Sequence, residues 1–243
     1  MKSQITIHPT DHLETLRSCG GYYSCPKDAG GKRLGPLVGY AGTYVDPEGK
    51  KKQYVGDVYA NFAKAEEYPW VLKHFAECMG DLRPFGIDAF CGAPYGGWAF
   101  SDMLGLHFKL PVTKAEKKVV ALATATMREQ SQLVFGRYAV KTNLRYGIVE
   151  DVCNNFSTTE NQIKLIWSSG GYVVAIICLL NRSDTVHEKY YPKCMPSIGI
   201  PVVSLVRKVI PEYKQDDPLV AEDFAKGNVV LKPKDEWHRL VFK

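Results

Sequence analysis

The chain has 243 residues, 45% of them hydrophobic and 23% charged, with a formal net charge of +5. That length supports one large domain or two small ones with ample core, and the composition excludes a disordered or low-complexity chain. The mild positive balance suits anionic ligands, but the basic residues are scattered, which argues against a nucleic-acid surface. The longest apolar run, 172–180, is nine residues, far below the roughly 20 needed to cross a bilayer. The segment MKSQITIHPTDHLETL holds no continuous apolar stretch of the signal-peptide kind. Seven cysteines without a C-x-x-C pair argue against a disulfide framework or a structural zinc site. His8 and His12 are four apart, but Pro9 lies between them and no third ligand is near in sequence. The expectation is a cytoplasmic protein with no membrane and no nucleic-acid partner.

In chain order, the first 75 residues carry glycine-rich turns (CGGYY, DAGGKRLGPLVGYAG), a hairpin-like DPEGKKK and aromatic alternation in QYVGDVYANF. They predict a small mixed α+β element, with a boundary near Tyr68-Pro69 that divides residues 1–68 from 69–243. A helix is expected in WVLKHFAECM, a strand in IDAFC (87–91) ending at Gly92, and a helix over 98–106. KVVALA (118–123) and 146–149 read as further strands. Residues 158–169 follow, with Ile163, Ile166 and Trp167 at helical spacing and a stop at Gly170-Gly171. Strands are expected again over 173–180 and in PVVSLV (201–206). Strands apolar on both faces with helices between them imply a parallel sheet covered on both sides, an α/β fold.

In such a sheet, ligands bind at the carboxyl ends of strands. Glu150 and Asp151 fall at one such end, and the turn after them leads into a helix start, where free amides and the helix dipole favour an anion. Carboxylates beside a phosphate cradle make sense if they hold hydroxyls or a magnesium ion while the amides hold the phosphate, which a sugar phosphate satisfies. The plainer reading is that Glu150 and Asp151 are solvated loop residues and Thr158 is only an N-cap.

A hydrophobic strand, two acids and a short polar turn into a helix, here YGIVEDVCNNFSTT, resembles the phosphoribosyl pyrophosphate motif of type I phosphoribosyltransferases. Upstream, DAFCGAPYGGWAFSDMLG resembles the family's pyrophosphate loop, and its GAPYGG is similar to the orotate branch. LLNRSD, IPVVSLV and the "hood" stretch GYAGTYVDPEGKKKQYVGD extend the resemblance over about 39–206. It implies a type I phosphoribosyltransferase-like parallel sheet flanked by helices, with an N-terminal hood over residues 1–68. Two departures stand out. Asn154, Asn155, Phe156 and Ser157 replace the family's Thr-small-Gly-Thr, and the segment TATMREQSQLVFGRYAVKT, in the place of the mobile catalytic loop, offers Arg128 but lacks the next lysine and the histidine. Arg137 and Lys141 are the substitutes at hand.

The resemblance further implies transfer of a phosphoribosyl group from phosphoribosyl pyrophosphate to a nucleobase, orotate first, in a homodimer. Magnesium would be held mainly by the ligand. Glu150, Asp151 and Arg128 would be catalytic. Tyr95, Gly96 and Gly97 would offer amides to the pyrophosphate, and Asn154, Asn155, Ser157, Thr158 and Thr159 would join the acids around the sugar phosphate. Arg182, Tyr54 and Asn154 would meet the base. Another base, or a sensor that only binds the sugar phosphate, are the alternatives.

Overall fold

The computed structural model describes residues 5–121, 130–183 and 188–241. Its helices and strands begin with α1 (His12–Ser18), β1 (Tyr22–Ser24), β2 (Leu37–Val45), β3 (Lys51–Gly56), β4 (Val58–Ala60), α2 (Ala63–Glu66) and α3 (Pro69–Cys78). The middle of the chain forms β5 (Ala89–Gly92), α4 (Gly96–Phe108), β6 (Val112–Lys114), β7 (Glu116–Ala121), β8 (Gln130–Val134), β9 (Arg145–Cys153) and α5 (Ser157–Ser168). It closes with β10 (Tyr172–Asn181), β11 (Lys189–Tyr190), β12 (Ile200–Arg207), α6 (Ala221–Ala225) and β13 (Val229–Val230). No helix among the described residues is long and apolar enough to cross a membrane.

The chain divides into two compact units, one formed by 1–65 with 210–243 and the other by 66–209. In the first, β2 and β3 form an antiparallel hairpin. Asp46 closes its turn by accepting hydrogen bonds from the amides of Glu48 and Lys50 at 3.0 and 2.7 Å. The sequence reading placed everything after residue 68 in the core, and here it is corrected for 210–243. β13 pairs in parallel with β2, Trp237 donates its indole N–H to the Gly20 carbonyl at 2.7 Å, and Arg33 bridges Asp57 and Asp223. These partners are far apart along the chain, so no local pattern marks them.

The second unit carries a six-stranded sheet in the order β11-β12-β10-β9-β5-β6. All pairings are parallel except β11 on β12. β5, β9, β10 and β12 fall where the hydrophobic runs predicted them. The fifth expected strand, 118–123, does not. Residues 116–121 instead form an antiparallel hairpin with β8, and the sheet strand in that region is the shorter β6. EKKVVA, three charged residues followed by three apolar ones, carries no pattern that names its partner, so pairing decided the outcome. Ile163 and Ile166 of α5 are fully buried against Ile148, Ile176 and Cys178, a burial that contributes about 1.5–3 kcal/mol per side chain. The helix stops where Gly170 adopts φ +83°. All seven cysteines are free thiols.

Candidate active site

The site grows from the carboxyl ends of β5 and β9. β5 ends at Gly92, paired with Val149, whereas β9 runs on to Cys153 against β10. The sequence reading ended this strand at residue 149. It continues because β10 extends to Asn181 and offers its backbone to residues 150–153, placing Glu150 beside Cys178 and Cys153 beside Asn181. The two acids therefore lie inside a strand whose other edge β5 has already left.

They are not equivalent. Glu150 is buried, 8% exposed. Burial first, and then the neighbouring charge of Asp151, push its carboxyl well above the usual carboxylate range, with Lys117 opposing. A low-dielectric seat and a like-charged neighbour both oppose ionisation of Glu150. Asp151 is half-buried, and its Oδ1 accepts the Val152 amide at 2.8 Å. Its carboxylate lies against the first residue of α4, where a Cβ on Gly96 would stand 2.4 Å from Cγ. One residue on, a Cβ on Gly97 would stand 2.1 Å from the Val149 carbonyl oxygen. The two glycines let the helix start rest directly on β9.

The turn before α4 is tight. Tyr95 has φ 65° and ψ −75°, a γ-turn conformation that is rare for a side-chain-bearing residue. Gly96 N–H donates to the Pro94 carbonyl at 3.0 Å and Gly97 N–H to the Ala93 carbonyl at 3.2 Å. The reading of Gly96 and Gly97 as open amide donors is thus corrected, because the turn uses both. Tyr95 is 66% exposed, with its ring 5.7 Å from that of Trp98.

The second helix start has the same character. Phe156, immediately before α5, has φ 55° and ψ 16°, left-handed backbone that glycine adopts readily and a bulky residue rarely does. Its ring is turned inward and stacks on Tyr190, with centroids 4.6 Å apart and planes at 22°. The Tyr190 hydroxyl donates to Glu160 Oε2 at 2.6 Å, and the Lys193 amide donates to the same oxygen at 3.0 Å. These bonds outweigh the cost of burial and hold the Glu160 carboxylate down at about 2. Asn155 is exposed, and its Oδ1 accepts the Ser157 amide at 3.1 Å. Ser157 is exposed and Thr158 half-buried. Thr159 is only 1% exposed, so its proposed contact with a phosphate is corrected: it faces the packed side of the helix.

A cavity of about 560 Å³ opens beside this helix, lined by Lys117, Ser157, Thr158, Asn161 and Lys164 among others, with Gln132 and Leu133 of the hairpin. Lys117, Asn161 and Lys164 were missed in the sequence. Lys117 stands one residue before the stretch 118–123 that reads as an inner strand, and only the turn of α5 brings the other two to one wall. Arg182 follows β10, and its amide donates to the Cys153 carbonyl at 2.9 Å, which sets it beside the start of the Asn154–Phe156 turn. Tyr54 belongs to the first unit, in β3, with its ring 5.0 Å from Tyr44. Arg128 lies outside the described residues.

No protein-family model matches the chain. It is 22% identical over 143 residues to an orotate phosphoribosyltransferase of Pyrobaculum aerophilum, covering 59% of this chain and 68% of the relative. It is 24% identical over 180 residues to one of Caldanaerobacter subterraneus subsp. tengcongensis, covering 73% and 82%. Among solved structures, orotate phosphoribosyltransferase from Aeropyrum pernix superposes with a TM-score of 0.53 at 17% identity, covering 81% of this chain and 93% of the other. Adenine phosphoribosyltransferase from Thermoanaerobacter pseudethanolicus superposes at 0.50 and 17% identity, covering 81% and 99%. The chain is similar to the type I phosphoribosyltransferases and shares their fold.

Proposed function

We propose that the protein is a phosphoribosyltransferase that joins phosphoribosyl pyrophosphate to a nucleobase, with orotate as the first candidate base. The observation that carries this is the approach of the Asp151 carboxylate to the start of α4, at the end of β5 and β9 from which the chain turns into α5. In this reading Asp151 accepts hydrogen bonds from the ribose hydroxyls and fixes the ring for attack. Ser157 and Thr158, with the polar side chains of Asn154 and Asn155, hold the 5-phosphate at the helix start. Glu150, buried beside it in the same strand, positions Asp151. The bond from ribose C1 to the pyrophosphate oxygen breaks, with its electron pair leaving on pyrophosphate. A bond from C1 to a base nitrogen forms, and that nitrogen gives up its proton.

Arg182 is the candidate partner for the base, its planar fork suited to a carboxylate or carbonyl, and Arg128 is proposed as the basic residue of the catalytic loop. Magnesium fits the donor chemistry, since the half-buried Asp151 offers hard oxygens where the buried Glu150 does not. When bound, it would neutralise charge on the leaving group. A homodimer in the cytoplasm belongs to the same reading.

Calorimetric titration with phosphoribosyl pyrophosphate and magnesium, followed by orotate or adenine with pyrophosphate release monitored, tests it. Binding with release on orotate supports the first candidate, and release on adenine changes the base. A second reading, a sugar-phosphate-binding protein without transfer, is favoured by the engagement of the Gly96 and Gly97 amides within their own turn. It predicts binding without release on any base. No binding at all refutes both.

A further inference from the structure

Where a tight anion-binding turn ordinarily places glycine, this chain has Phe156 in left-handed backbone. For a bulky residue that conformation is strained and persists only when its surroundings impose it. Phe156 is buried in a cluster that includes Cys153, Ile163 and Ile200, and one aromatic neighbour also ties it to the helix start. The Phe156 ring stacks on Tyr190 at 4.6 Å. The hydroxyl of the same Tyr190 is anchored 2.6 Å from Oε2 of Glu160, in the first turn of α5. Glu160 N–H in turn donates to the Phe156 carbonyl at 2.7 Å. The three residues close a loop of contacts around the helix start. Tyr190 itself is fixed in β11, at the edge of the sheet, by pairing with Ile200.

We infer that Tyr190 is a positioning residue for phosphate binding: its ring clamps Phe156 and so imposes the positive φ that shapes the Asn154–Ser157 turn, replacing the conformational freedom of glycine. The inference rests on the phosphoribosyl reading of that turn. It has a signature that simple core packing lacks. If the clamp serves only to impose φ, glycine at position 156 makes Tyr190 dispensable for ligand binding, although removing a second aromatic ring lowers stability further.

The test is a double-mutant cycle on the full chain, read by calorimetric affinity for ribose 5-phosphate and, separately, by thermal unfolding. Tyr190→Leu is expected to weaken affinity at least tenfold in the Phe156 background and less than threefold in the Phe156→Gly background, while the double variant melts lowest. Equal losses in the two backgrounds overturn the inference. Should Tyr190→Leu alone not fold, Phe156→Gly is compared with Phe156→Leu. Glycine is expected to bind more tightly although leucine fills more of the core, and the reverse order overturns the inference. Failure of the wild-type protein to bind ribose 5-phosphate refutes the phosphoribosyl reading and this inference with it. Binding by the wild type without the expected cycle refutes only the clamp.

Discussion

Asp151 and Gly96 lie so close that a single methyl group on the glycine would stand 2.4 Å from the carboxylate carbon. The contact joins the acidic stretch of β9 to the glycine pair that opens α4, two segments more than fifty residues apart. Gly97 makes the equivalent approach to backbone, the Val149 carbonyl oxygen. Substitution should separate the two. Gly96→Ala meets a side chain that can rotate, so ligand affinity should fall about tenfold or more, ~1.4 kcal/mol, with little change in thermal midpoint. Gly97→Ala meets the strand itself and should cost about 1–3 kcal/mol of stability. Denaturant unfolding of both variants beside calorimetry checks this, and equal destabilisation would show that Asp151 cannot yield.

Asp151→Asn keeps the size of the side chain and removes its charge. Phosphoribosyl pyrophosphate affinity should fall by tenfold or more while the melting temperature moves by less than ~2 °C, the scale of about half a kcal/mol in a chain of this size. An unchanged affinity would remove Asp151 from the site.

Glu150 gives a pH signature. Its carboxyl is raised by burial and by Asp151, so the folded state holds the proton more tightly than the unfolded chain. Its favourable contribution is complete below the ordinary carboxylate range and is lost as pH rises through the raised value. Glu150→Gln removes that dependence. The variant should therefore gain stability relative to wild type as pH rises above the ordinary carboxylate value of 4.5, seen as a rising difference in thermal midpoint. A difference that stays flat with pH would mean that Glu150 ionises normally.

Glu160 behaves with the opposite sign. Held down at about 2 by its hydrogen bonds, it contributes stability above the ordinary value of 4.5 that disappears as pH falls toward 2. Tyr190→Phe removes the 2.6 Å hydroxyl donor and should cost about 1–2 kcal/mol at neutral pH. The cost should shrink on acidification. Equilibrium unfolding at pH 7 and pH 3 measures both.

The amino-acid sequence by itself determined the inner strands, because continuous apolar runs such as 173–180 can be satisfied only between two covered faces. The acids of β9 and the glycines that open α4 were likewise legible as two chemically distinctive segments, which the fold brings together. Pairing over long distances decided the rest. The return of residues 210–243 to the first unit depends on β13, Trp237 and Arg33 finding partners remote along the chain. The pairing of EKKVVA with β8 rather than with the inner sheet likewise rests on its partner strand, since the stretch has no alternation to name one. Most of all, Phe156 reads locally as a residue unfit for a phosphate turn. Burial in the core cluster and a stacked Tyr190, supplied from 34 residues further along and held by Glu160, surround its left-handed backbone. Strain of that kind is invisible in a sequence, because its compensation lies entirely in packing.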